Sequence, residues 1–308
     1  MRPGPAAPRL RRNSRRGAGG EVDVIYASIL AAVSGAADDA DAVAIAADLA
    51  ARHAASLKVL TAFPIMDSSW SYWAGSPAAA ARLAPMLAQM KQDRERRTLA
   101  MAEHEAGRFG LARKAGAAGT WAMAEPAATP WLGLVEQLPL SDLLVVAQSV
   151  AAEDGPWTGF LADALMAARA AVLIARGGVS AFGRPAAVAW DGSLQAGRAV
   201  KAALPLLKDA SEVVILQDAD GLDPAAGAST DPGRVIEYLG HHGVGPMSIV
   251  SLTGREEGAA LLRAAADVKA ALLVAGGFGH TRLREAIFGG VTRTFLRSAD
   301  GPHLLLAH

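Results

Sequence analysis

The most informative part of the sequence is the stretch Ala271-Leu-Leu-Val-Ala-Gly276-Gly277-Phe-Gly279-His280-Thr-Arg282-Leu-Arg284-Glu285-Ala-Ile-Phe-Gly289-Gly290-Val291-Thr292. It begins with an apolar run of the length of a buried strand and then breaks into a cluster of glycines, which is followed by a second glycine pair. Glycines let a backbone approach an anion closely, and the unpaired N–H groups at the start of a following helix point toward that anion. The pattern therefore predicts a buried strand that leads into a phosphate-binding loop.

The rest of the chain alternates between strand-like and helix-like segments, in two series of the same order. Such alternation predicts a parallel sheet wrapped by helices. We therefore expect an α/β fold of two tandem doubly wound domains, each a five-stranded parallel sheet flanked by helices. The predicted strands are 28–33, 57–62, 120–124, 143–147 and 171–175 in the first series and 186–190, 212–216, 246–252, 271–275 and 303–307 in the second.

Three segments are expected along the chain: a disordered basic tail over 1–24, a first domain over 25–178 and a second over 182–308. The tail has six Arg but no apolar region of the kind that a secretory signal needs. No later run reaches the roughly 18 uninterrupted apolar residues of a membrane span. Cysteine is absent, which suits a reducing compartment. We therefore expect a soluble, cytoplasmic protein that does not bind membranes.

Charge and motifs argue against several classes of function. The 308 residues carry 30 basic and 30 acidic side chains, and the surplus of Arg lies in the tail, so the body offers no electrostatic case for nucleic acid. The sequence has no G-x-S-x-G and no H-E-x-x-H. The pair His241-His242 lacks a third metal ligand at useful spacing. We expect no catalytic constellation and no metal site built by the protein alone.

Two motifs resemble those of a known family. The series Gly276-x2-Gly279-x9-Gly289 resembles the nucleotide signature of the universal stress protein family, and Asp191-Gly192-Ser193 resembles that family's strand-end Asp-Gly-Ser. The family usually has Ser or Thr where Gly290 stands. The resemblance implies an adenine-nucleotide alpha hydrolase-like fold and a stress-response protein that binds ATP or AMP-like ligands, with or without Mg²⁺. It also implies pairing through sheet edges and, at most, slow ATP hydrolysis.

The expected nucleotide contacts lie in two places, after the first and after the fourth strand of the second series. Asp191 can be read either as a contact to the nucleotide or its metal, or as the N-cap of the next helix. Thr292 can cap the last helix, donate to a phosphate, or do both. The full set of expected contacts is Asp191, Gly192, Ser193, Gly276, Gly279, His280, Arg282, Gly289, Gly290, Val291 and Thr292.

The first domain lacks both motifs. Its first strand ends in Val33-Ser34-Gly35-Ala36, which lacks the carboxylate. Residues 148–157 carry acidic and bulky side chains where the second domain has glycines. The second domain is therefore the candidate site. We expect the two domains to pair within the chain or the chain to form a homodimer, with a protein partner that is unknown. The alternative is an adaptor with a vestigial loop, which acts through protein contacts such as the aromatic insertion over 64–108.

Overall fold

The computed structural model describes residues 26–61, 77–125, 130–151, 158–178, 182–220, 222, 229–253, 257–277, 290–298 and 300–308. Within them the chain is α/β. The strands and helices, in chain order, are β1 (Ser28–Val33), α1 (Asp39–His53), β2 (Ser56–Thr61), α2 (Pro77–Arg108), β3 (Ala112–Arg113), β4 (Thr120–Met123), α3 (Pro130–Gln137), β5 (Leu143–Ala147), α4 (Gln148–Ala151), α5 (Thr158–Ala162), β6 (Val172–Ala175), β7 (Ala186–Ala189), α6 (Leu194–Asp209), β8 (Val213–Asp218), α7 (Pro232–His241), β9 (Met247–Leu252), α8 (Glu257–Asp267), β10 (Leu272–Gly276), α9 (Gly290–Arg297) and β11 (His303–Ala307).

The strands of the described residues form one sheet, in the order β3-β4-β2-β1-β5-β6-β11-β10-β7-β8-β9. Each half has the same internal order, with its first strand between its second and fourth. Every described pair is parallel except β6 with β11. The expected α/β class with parallel strands is confirmed. The two-residue strand β3 at the edge of the first half is an addition that the sequence pattern did not predict.

The two halves meet at the antiparallel pair β6–β11. Its register places Leu304 opposite Ile174 and Leu306 opposite Val172, and these four side chains are fully buried. Such a pair of buried apolar strands removes one edge from each half-sheet, which would otherwise be open to pairing with another chain. The apolar cores of the two halves are therefore continuous through the sheet.

Helix α1 packs between the sheet and α2. It contacts β1 and β5 on one side and α2 on the other, and its residues from Ala42 to Ala50 are buried. Small alanine side chains allow this close approach on both sides. Helix α2 covers α1 through buried Ala102 and Ala106, whereas Met86 and Met90 nearer its start are 59% and 48% exposed. Helix α2 is therefore buried mainly over its last third, where it covers α1.

The aromatic residues of the 64–108 insertion, Trp70, Tyr72 and Trp73, lie outside the described residues, as does the basic tail. In the parts of the chain that the structure describes, no helix combines the length and the apolar character needed to cross a membrane.

Candidate functional site

The candidate site lies at the carboxyl edge of the sheet, between β7 and β10. These strands are hydrogen-bonded neighbours, with Leu272 opposite Ala186. From β7 the chain continues to β8 and β9 on one side, whereas β10 and β11 lie on the other side. In open α/β sheets, ligands bind beyond the strand ends at such a reversal of strand order. The structure thus brings together the two sequence motifs, Asp191-Gly192-Ser193 after β7 and Gly276-Gly277 at the end of β10.

The turn after β7 starts helix α6. The Oγ of Ser193 accepts a hydrogen bond from the N–H of Ala196 at 3.1 Å, so Ser193 is the N-cap residue. Asp191 is exposed, and its Oδ1 accepts from the N–H of Ser193 at 2.9 Å. The N-cap interpretation of Asp191 is therefore wrong, because the hydroxyl two residues later takes that position. The Asp191 carboxylate instead supports the turn and faces solvent at the candidate site.

Gly192 is required by the backbone in this turn. Its φ is +77°, in the left-handed region that glycine favours, and a Cβ there would lie 2.4 Å from the carbonyl oxygen of Ser229. The segment that leads into α7 therefore packs directly on the β7–α6 turn. Gln217, at the buried end of β8, donates its amide to the Thr230 carbonyl at 2.5 Å and fixes the same segment.

Gly276 allows the end of β10 to contact the first turn of α6. A Cβ on Gly276 would lie 2.6 Å from the backbone nitrogen of Ala196. Gly277 donates its N–H to the Ala307 carbonyl at 2.9 Å, and its own carbonyl lies 3.0 Å from Nδ1 of His308. The lack of a side chain at Gly276 thus serves strand–helix packing, and it places the N-terminus of α6 beside the start of the glycine loop.

Helix α9 begins beyond the glycine loop. Gly290 is exposed at its first position, and a Cβ there would meet no heavy atom within 4 Å. Thr292 lies inside α9 and is 4% exposed, so it is not the N-cap of this helix. Val291 is partly buried against the core. The cap interpretation of Thr292 is therefore wrong, because the helix starts two residues earlier.

Four of the expected contacts, Gly279, His280, Arg282 and Gly289, lie outside the described residues. Their proximity to phosphate stays a prediction. The described members of the expected set are Asp191, Gly192, Ser193, Gly276, Gly290, Val291 and Thr292.

The corresponding edge of the first half is filled by its own carboxylates. Asp39 at the start of α1 is buried and accepts hydrogen bonds from the N–H groups of Ser34 and Gly35, the latter at 2.6 Å. Asp38 accepts from the N–H and the hydroxyl of Ser149, at 2.9 and 2.6 Å. Burial raises the pKa of Asp39, and the hydrogen bonds from Ser34 and Gly35 oppose that rise. Sequence analysis found no carboxylate after β1, but α1 supplies one that occupies the loop amides.

Sequence reasoning missed a buried cluster where β6 meets β11. Arg176 is 7% exposed, and its backbone N–H donates to Nδ1 of His303 at 3.0 Å. Burial, and secondarily the Arg176 charge, lower the pKa of His303 to about 4. The ring of His303 stacks on Phe182 at 5.5 Å. One feature of the sequence pointed to this cluster: the last strands of the two halves are nearly identical. Each of them is followed by a basic residue, Arg176 in the first half and His308 in the second.

No group of three or more His, Cys, Asp or Glu in the described parts of the chain could hold a metal ion.

Comparison with solved structures shows which fold this is. A universal stress protein from Archaeoglobus fulgidus DSM 4304 is similar over 91% of this chain and 95% of its own, with 16% identity and a TM-score of 0.59. A functionally unknown protein from Pseudomonas aeruginosa PAO1 is similar over 92% of both chains, with 15% identity and a TM-score of 0.50. A universal stress protein in complex with cAMP covers 41% of this chain and 96% of its own, at 22% identity and a TM-score of 0.34.

The sequence itself matches one family. No curated protein matches the chain, but residues 184–306 match the universal stress protein family model. That range begins before β7 and ends in β11, so it includes both sequence motifs of the candidate site, the one after β7 and the one after β10. Over residues 184–306, the second half of the chain is therefore similar to the universal stress protein family.

Proposed function

We propose that the second half binds one ATP per chain, in the crevice between β7 and β10. The observation that carries this proposal is the close packing of Gly276 on the first turn of α6, where a Cβ on Gly276 would lie 2.6 Å from the Ala196 nitrogen. That contact sets the start of the glycine loop beside a helix N-terminus, where backbone N–H groups favour an anion. The match of residues 184–306 to the universal stress protein family model adds to the case for an adenine nucleotide.

The roles within this site divide between its two edges. Gly279, His280, Arg282, Gly289 and Gly290 would surround the phosphates, with Arg282 as the side chain suited to bind a phosphate through two hydrogen bonds. Asp191 is an exposed carboxylate on the other edge and would contact the nucleotide or a Mg²⁺ ion that the phosphates bring. Gly192, Ser193, the partly buried Val291 and the buried Thr292 support these groups.

The first half is proposed as a divergent copy of the same domain, with the boundary between the copies at about 178–182. The matching strand order of the two halves supports this. Its loop amides are already bonded to Asp38 and Asp39, and a phosphate would have to displace a bonded carboxylate of its own charge. We therefore expect no nucleotide in the first half.

The role of the bound nucleotide is proposed to be regulatory, in a cytoplasmic stress response. Loop amides and an arginine stabilise phosphate charge, but hydrolysis also needs a base that positions water. The described carboxylate at the site, Asp191, is already bonded to the Ser193 amide. We expect hydrolysis to be slow at most.

A second candidate function, an adaptor that acts through protein contacts, rests on the surface of α2. Met86 and Met90 are among its most exposed apolar side chains, and flexible Met side chains suit adaptable protein contacts. In that case the glycine loop would be vestigial, and the chain would bind no nucleotide.

Gly290→Ser tests the nucleotide site. Because a Cβ at Gly290 meets open space, serine fits and places a hydroxyl at the start of α9. A hydrogen bond to a charged group contributes about 1.5–3 kcal/mol before the cost of fixing the side chain. We expect ATP affinity, measured by calorimetric titration of the full chain, to rise by up to roughly tenfold.

Gly290→Ala is the matched control, since it adds the same Cβ without a donor. It should bind ATP like the wild type. If alanine and serine change the affinity equally, the hydroxyl does not meet a phosphate. If none of the three proteins binds ATP, the nucleotide proposal is wrong and the adaptor hypothesis replaces it.

A further inference from the structure

The C-terminal end of helix α9 is held by two side chains from the first half. Arg176, which follows β6, donates from Nη2 to the Phe295 carbonyl and from Nη1 to the Pro302 carbonyl, the latter at 3.4 Å. Gln148, which follows β5, donates its amide to the Leu296 carbonyl at 2.8 Å. The last carbonyls of a helix have no partner within the helix. Here the opposite half of the chain supplies the partners.

The two side chains act as a unit. The Nε of Arg176 donates to the Gln148 side-chain oxygen at 2.7 Å, so each residue fixes the other. Arg176 is 7% exposed, and burial lowers its pKa to about 10, which leaves the guanidinium charged at neutral pH. A cation at a helix C-terminus interacts favourably with the helix dipole. Arg176 therefore stabilises the C-terminus of α9 in two ways, through hydrogen bonds to carbonyl groups and through the interaction of its charge with the helix dipole.

The position of Gln148 explains how the first half came to make this contact. Gln148 directly follows Ala147, the last residue of β5, as Gly277 follows Gly276, the last residue of β10. In the second half this position is a glycine and offers no side chain to α9. In the first half the position carries an amide that reaches across to α9, while the adjacent Ser149 is bonded to Asp38.

The opposite end of α9 is the end next to the glycine loop. Gly290 begins the helix, and Phe295 and Leu296, whose carbonyls are held, lie in its last turn. The helix has only eight residues, so its two ends are about 12 Å apart at 1.5 Å per residue. Helix α9 also packs against α8, where Gly258 lies against Thr294. A shift of the held end would therefore be transmitted to the end next to the loop.

We propose that Arg176 and Gln148 of the first half are positioning residues for the nucleotide site of the second half, because they fix α9 at its C-terminus and thereby orient its loop-facing end. The first half thus fixes the orientation of a helix that borders the site. This inference rests on the proposed nucleotide function. It assigns the first half a role in ATP affinity, although that half holds no nucleotide.

The test compares four full-length variants with the wild type: Arg176→Gln, Arg176→Lys, Gln148→Ala and Tyr26→Phe. Tyr26→Phe is the matched control, since it removes another hydrogen bond between the halves, from the Tyr26 hydroxyl to the Ala202 carbonyl at 2.8 Å, but touches α6 instead of α9. Two quantities are measured on each folded protein: ATP affinity by calorimetry and hydrogen exchange of the α9 amides without nucleotide.

We expect Arg176→Gln to weaken ATP binding by roughly tenfold, within the usual range for coupled sites, and to speed exchange across α9. Gln148→Ala should do the same to a smaller extent, and Arg176→Lys should recover part of the affinity because it keeps the cation. Tyr26→Phe should leave both quantities unchanged. Gln148→Ala also keeps the test decisive if Arg176→Gln does not fold.

Three results would overturn the inference. Unchanged exchange in α9 would show that the pair does not hold the helix. Faster exchange with unchanged ATP affinity would show a role in stability alone. If the wild type binds no ATP, both the proposed function and the positioning role are wrong. If the wild type binds ATP and the variants bind it equally well, only the positioning role is wrong.

Discussion

Gly276→Ala should destabilise the protein and abolish ATP binding. The new methyl group would lie 2.6 Å from the Ala196 nitrogen and 2.9 Å from the Gln195 carbonyl carbon, both in the backbone of the first turn of α6. Backbone atoms cannot rotate away as a side chain can, so β10 and α6 must separate. Overpacking of this kind costs about 1–3 kcal/mol. We expect a lower free energy of unfolding in urea and no heat of binding with ATP.

The matched control is Gly197→Ala, one residue beyond the point of contact in the same helix. A Cβ at Gly197 meets no heavy atom within 4 Å, and alanine is favoured over glycine inside a helix by roughly 0.5–1 kcal/mol. This variant should be as stable as the wild type or more so, and it should bind ATP. Equal stability of Gly276→Ala and the wild type would contradict the packing described here.

Acidification should destabilise the protein through His303. This side chain is 1% exposed, and its pKa is lowered from 6.5 to about 4. The Nδ1 atom accepts the Arg176 N–H, so a second ring proton has no place there. Between pH 6.5 and pH 4 the unfolded chain binds a proton at this site that the folded chain does not, and stability therefore falls as pH falls. At 1.36 kcal/mol per pKa unit, the loss is about 3 kcal/mol.

Other buried groups titrate near the same range and must be separated from His303. Burial also lowers the pKa of His53, which acts in the same direction, whereas the raised pKa of Asp39 acts in the opposite direction. His303→Asn keeps a side-chain acceptor but cannot titrate. Urea unfolding at pH 7 and pH 4.5 should show a clearly smaller loss for this variant than for the wild type. Equal losses would mean that His303 is not responsible.

The strands were predictable because each is a short apolar run bounded by turn residues. β1, β5 and β11 have the bounds that the sequence indicated, Ser28–Val33, Leu143–Ala147 and His303–Ala307, and the other predicted strands are found to within two residues. β3 was missed because its two residues, Ala112 and Arg113, are exposed and carry no apolar pattern. The division of the chain into domains at 178–182 stays a prediction.

The candidate site was predictable only as far as local motifs reach. The spacing of glycines after β10 indicated an anion loop, but it gave no sign that Gly276 is needed for packing on Ala196, which lies far away in the sequence. The same limit applies to Asp38, which bonds to Ser149 after β5, and to Arg176, which reaches α9; both contacts span more than a hundred residues. Contacts of this kind depend on the tertiary fold, and periodicity in one sequence does not reveal them.

The most direct test of the account is the stoichiometry of ATP binding to the full chain, measured by calorimetric titration. The account predicts one ATP per chain, because the second half presents the glycine loop beside α6 while Asp38 and Asp39 occupy the loop amides of the first half. Two ATP per chain would contradict the assignment of the first half, and no binding at all would contradict the nucleotide function itself.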